Sequence, residues 1–71
     1  MKIKVYKKFN GKWMLSRIVY PNDFEIERYV YSNGSVLNEV IIRHGEHCEY
    51  IKFSKIREWF NTITVWEKNA R

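Results

Sequence analysis

Residues 2–17 read KIKVYKKFNGKWMLSR, and the bend inside this stretch governs how the rest of the chain is read. Asn10-Gly11 sits between two runs of alternating character, the pattern of a two-residue hairpin turn in which both central residues need positive φ. With Asn10 and Gly11 as the loop, Phe9 faces Lys12, Lys8 faces Trp13 and Tyr6 faces Leu15. The same register puts Lys4 opposite Arg17 and Ile3 opposite Ile18. Alternation then sorts the hairpin onto two faces. Ile3, Val5, Phe9, Met14 and Ile18 form the expected core face. Lys2, Lys4, Tyr6, Lys8, Trp13, Leu15 and Arg17 form the other, a basic surface with aromatic rings between the cations.

Two further turns follow from the punctuation. Asn33-Gly34 predicts a second hairpin of the same kind, with Val30 opposite Leu37, Ile26 opposite Ile41 and Arg28 opposite Glu39. Gly45 in His44-Gly45-Glu46-His47 suits the first central position of a type II′ turn, which puts Tyr50 opposite Ile41 and Lys52 opposite Glu39. Arg28, Glu39 and Lys52 would then line up with the acid in the middle. This predicts a three-stranded meander over residues 24–53 with VLNEVIIR as its central strand. Pro21-Asn22-Asp23 marks the looser connection before it.

In FSKIREWFN, Ser54 is a fair N-cap, and Ile56, Trp59 and Phe60 fall at helical spacing. A short helix is expected near residues 54–61, before TITVWE returns to β-branched residues as a last strand. The expected fold is mainly β: a small antiparallel half-open barrel or roll of five to six strands with that one helix.

Seventy-one residues predict a single domain over 1–71. A chain this short buries only about 60 % of its unfolded surface, so twelve aromatic residues are a useful source of apolar area. The one cysteine, Cys48, allows no internal disulfide, and MKIKVYKK lacks the apolar stretch of a signal peptide. No run reaches the roughly 20 apolar residues of a membrane span. These features predict a soluble cytoplasmic protein with no membrane partner.

The net charge is +5, made of +6 in residues 1–20 and −1 in residues 21–71. The whole excess belongs to the first hairpin, as a polyanionic partner would require. Cations spaced along a surface release counterions from phosphates, and flat rings stack on bases. Lys2, Lys4, Lys8 and Arg17 suit the first task, Tyr6 and Trp13 the second. The competing explanation is that lysines on an exposed edge discourage edge-to-edge aggregation. Lys4 opposite Arg17 argues against it, because facing like charges cost folding energy without return.

Other clusters predict less. His44 and His47 face each other across a turn and are the weak metal candidate, short of the four ligands of a structural zinc site. Adjacent strand residues point to opposite faces, so His47 is badly placed to activate Cys48. No phosphate loop or catalytic dyad is present, and neither enzyme activity nor a cofactor is expected. Both faces of the meander are apolar, so an uncovered face would meet a partner or a second copy, with Tyr29, Tyr31 and Trp66 as anchors. The expected function is a non-enzymatic module that binds nucleic acid, or a protein that handles it, through the first hairpin. The alternative is a small protein-binding inhibitor or regulator, of the kind mobile elements carry, acting through exposed aromatics or as a homodimer.

Overall fold

A computed structural model describes residues 1–68. The chain forms six strands: β1 (Lys2–Phe9), β2 (Lys12–Val19), β3 (Asp23–Val30), β4 (Val36–His44), β5 (His47–Trp59) and β6 (Thr62–Glu67). They make one six-stranded sheet in the order β2-β1-β6-β5-β4-β3 that does not close into a barrel. Strands β3 to β6 follow one another as antiparallel hairpins. The first hairpin joins them through β1, which runs parallel to β6, so the sheet is mixed and not wholly antiparallel.

The 13-residue β5 links the two halves of the sheet. Its first part pairs with β4, its second with β6, and a bulge between Phe53 and Lys55 lets the strand bend where the partners change. The inner faces of both halves share one cluster: Ile3, Val5 and Val19 with Ile63, Val65, Val40, Ile42, Ile51 and Phe53. Phe24 and Ile56 pack against it from the side. Alternation is strict here, since Ile3, Val5, Ile63 and Val65 are all within 2 % of full burial.

The first turn is as expected, with Asn10 at φ 51° and Gly11 at φ 78°, the type I′ signature. The register of its hairpin is not. Phe9, Lys8 and Tyr6 face Lys12, Trp13 and Leu15, but a bulge then pairs Val5 with Arg17, Lys4 with Ile18 and Ile3 with Val19. The extra residue removes the Lys4–Arg17 clash and brings Val19 into the core. Phe9, Met14 and Ile18, expected in the core, are exposed instead.

Asn33-Gly34 does make a hairpin, by a different turn. Gly34 alone has positive φ (89°), its N–H donates to the Tyr31 carbonyl, and Tyr31 N–H donates to the Ser35 carbonyl. The Asn33 carboxamide oxygen accepts from both the N–H and the hydroxyl of Ser35. This is the three-residue loop closed by a glycine bulge, one residue longer than a type I′ loop. The slip pairs Val30 with Val36, Ile26 with Val40 and Glu27 with Glu39, so Arg28 faces Asn38 and the Arg28–Glu39–Lys52 row does not form. One residue of slip turns Phe24 and Ile26 inward and Tyr29 outward. The Gly45 turn keeps its expected register, with His44 opposite His47, Tyr50 opposite Ile41 and Lys52 opposite Glu39.

No helix forms among the described residues, and 54–59 continue β5. Two helical turns are marginal by themselves, whereas an extended chain here pairs its backbone with β6. Ile56 points inward, Lys55, Arg57 and Trp59 point outward, and the chain reverses at Phe60-Asn61 with Phe60 at φ 53°. The last strand is as expected.

Candidate polyanion-binding face

The outer face of β2, β1, β6 and β5 is built as rows set by the registers. One row runs Leu15–Tyr6–Trp66–Lys55, the next Ile18–Lys4–Thr64–Arg57 and the last Lys2–Thr62–Trp59, with Trp13–Lys8 at the opposite end. Five cations therefore share one face: Lys2, Lys4, Lys8, Lys55 and Arg57. Glu58 and Glu67 pair with the inward residues Ile63 and Phe53, so no carboxylate of the described strands interrupts the rows. The face is a sheet surface of one sign, where the potentials of neighbouring cations add.

Aromatic rings are interleaved with these charges. Tyr6 and Trp66 stack in the middle, with centroids 5.9 Å apart and planes 19° from parallel. Every tryptophan has a cation over its ring: Lys8 lies 5.4 Å from the centre of Trp13, Lys55 5.0 Å from Trp66 and Arg57 5.8 Å from Trp59. Such pairings hold the long cationic stems in place and limit the entropy lost on meeting a ligand. Lys4, Arg57, Trp59, Thr62 and Thr64 line a shallow depression of about 300 Å³ between the rows.

Of the residues expected at this site, Lys2, Lys4, Tyr6, Lys8 and Trp13 share the face, and Arg17 does not. The bulge turns Arg17 to the inner side, where its guanidinium donates to the Glu49 carboxylate of β5. Both side chains are roughly one-third exposed. Replacing Arg17 by glutamine is therefore expected to change nucleic-acid affinity by less than about twofold and to cost about 1 kcal/mol of stability or less. Titration with a labelled strand and urea unfolding of the same variant measure both.

Lys55, Arg57, Trp59 and Trp66 are the members that sequence reasoning did not place here. The helix expected for 54–61 hid the alternation of KIREW, in which every second side chain belongs to the basic surface. The parallel pairing of β1 with β6, which carries the rows across, has no local signature.

The remaining candidates lie elsewhere. Tyr29 and Tyr31 meet edge to face at 4.9 Å, while Trp66 belongs to the basic face, so the three anchors form no single surface. Tyr31 also borders a depression of about 280 Å³ with Val36, Lys52 and Phe53. His44 and His47 are paired across their turn, and no group of three or more metal-ligating side chains gathers among the described residues. Cys48 is free and exposed, opposite Arg43.

The outer face of the meander has the other sign. Asp23, Glu25, Glu27 and Glu39 lie there with Arg43 and Lys52. Arg43 donates to both Asp23 (3.2 Å) and Glu25 (3.0 Å), and the bond it donates to Glu25 raises its pKa above the usual value. The two outer surfaces of one sheet thus differ in charge, and only one suits an anion.

No helix of the described residues is long and apolar enough to cross a membrane. Comparison with protein-family models, curated proteins and solved structures finds no match.

Proposed function

We propose that this protein is a non-enzymatic binding module that engages the phosphate backbone of nucleic acid through the outer face of β2, β1, β6 and β5. The observation that carries this reading is the gathering of five cations from two strands, β1 and β5, on one surface without a carboxylate among them. Like charges drawn together lower folding stability, so the arrangement needs a use beyond the fold. A sheet face meeting phosphates through spaced ammonium and guanidinium groups supplies one.

Binding through these cations is steeply salt-dependent. Each neutralised phosphate of a flexible strand contributes about −0.7 to the slope of log affinity against log salt, so three to five such phosphates give about −2 to −3.5. Anisotropy titrations at several salt concentrations read this slope directly. A slope near zero contradicts the proposal.

A second reading rests on β2. This edge strand exposes Trp13, Met14, Leu15 and Ile18, and its centre, WMLS, lacks the charges that protect β3 at the other edge. Such an edge suits a protein partner or a second copy that extends the sheet. Association of that kind tolerates salt, which separates it from the first reading in the same titrations.

A further inference from the structure

The outer face is furnished with more than charge, and the extra features select among nucleic acids. Trp59 is 63 % exposed and Phe60 89 % exposed, in edge-to-face contact at 5.1 Å. Phe60 also holds φ 53°, a conformation that costs a side-chain-bearing residue about 1–2 kcal/mol. A large ring that is neither buried nor relaxed gives the fold little. Its placement beside Arg57 and Trp59 gives a ligand an aromatic corner next to a guanidinium.

At the far corner, Trp13 is 40 % exposed with Lys8 over its ring, and the Tyr6–Trp66 stack lies between the two corners. From Trp13 to Trp59 the face crosses three strand spacings and about six residues along β1. At about 4.8 Å per strand and about 3.3 Å per residue, this is a diagonal of about 25 Å. Three ring–cation pairs lie on or beside it: Trp13 with Lys8, Trp66 with Lys55, and Trp59 with Arg57.

We propose that this diagonal takes single-stranded nucleic acid, its bases stacked against the rings of Trp13 and Trp59 and its phosphates held by the neighbouring cations. The inference rests on the basic-face reading and adds the ligand's form. A duplex keeps its bases stacked inside and presents only phosphate and groove edges, so it leaves exposed rings unused. A single strand has free base faces, and stacking on aromatic side chains accepts any base. The length of the diagonal suits about four nucleotides, the lower end of site sizes for such surfaces. Thr62 and Thr64, between Lys4, Arg57 and Trp59, add hydroxyl groups for phosphate or base edges.

The test compares four labelled probes with the full chain: a 12-nucleotide DNA strand, an RNA strand of the same sequence, a hairpin duplex of matched length, and heparin. The expected result is at least tenfold tighter binding of single strands than of the duplex. Trp59→Ala is expected to weaken single-strand binding about tenfold and duplex binding by less than about threefold, with the melting temperature unchanged. Trp59→Phe is expected to recover most of that affinity. Equal binding of duplex and single strand, or a Trp59→Ala variant that binds single strands as the parent does, overturns the inference while the basic-face reading stands. Failure of all four probes to bind overturns both.

Discussion

Replacing Lys4 and Arg57 together by glutamate is expected to lower nucleic-acid affinity about 100-fold or more at physiological salt. The two residues flank Thr64 in one row, at the centre of the basic face. A hydrogen bond to a charged group is worth about 1.5–3 kcal/mol, so removing two at the low end already gives about two orders of magnitude. The substitutions also leave Lys2, Lys8 and Lys55 against two new carboxylates, taking the face from +5 to +1 (three minus two). Folding is little affected, because both side chains point away from the core and like-charge repulsion falls. Thermal melting checks that point, and the salt slope of the variant should drop by about one unit or more. A variant that binds as well as the parent would place the ligand elsewhere.

The second large effect concerns the bend of β5. Phe53 is 3 % exposed and belongs to the core cluster at the position where the strand changes partners from β4 to β6. Truncating a buried phenylalanine to alanine costs about 3–5 kcal/mol. A folded chain of 71 residues has about 4–11 kcal/mol in all, at about 0.05–0.15 kcal/mol per residue. Phe53→Ala is therefore expected to remove from about a quarter to all of the stability, read as a lower urea midpoint with loss of near-ultraviolet aromatic signal. A decrease under about 1 kcal/mol would mean that the two halves of the sheet do not share this core.

Much of this architecture was legible wherever the chain carries its own geometric instruction. Asn10-Gly11 and Gly45 specify their turns through positive φ, and the strands on either side follow in the expected order. The failures of register share a cause: each is a single-residue change in how a strand meets its neighbour. The bulge in β2 turned Arg17 from the basic face to the inner side, where Glu49 takes it. The glycine-bulge loop at Gly34 shifted β3 by one residue and dissolved the expected charge row. In both places the local sequence allows either register, and packing of Val19 and Phe24 into the core decides. The spacing of Ile56, Trp59 and Phe60 fits a helix as well as a strand, and pairing with a strand already committed to β1 selects the latter. The basic face suffered least because alternation alone placed Lys2, Lys4, Tyr6 and Lys8 together, while its extension over β6 and β5 depends on a parallel pairing between distant segments.

The charge asymmetry read from the first twenty residues also changes meaning in three dimensions. Lys7 and Lys12 belong to the inward-pointing positions of the first hairpin and Arg17 is paired, so only Lys2, Lys4 and Lys8 of that segment reach the outer face. Lys55 and Arg57, from a segment that looks balanced in the sequence, complete it. A count of charges along the chain therefore found three of the five cations of the outer face and missed the two on β5.

Backbone amide shifts recorded while a short single strand is titrated into the full chain reveal which surface the ligand meets. For binding on the basic face, signals of Lys4, Tyr6, Arg57, Thr64 and Trp66 move together and saturate, while those of Glu25, Glu27 and Glu39 on the acidic outer face stay in place. Movement confined to the meander, or to the β2 edge without β5 and β6, would contradict the proposed role of that face.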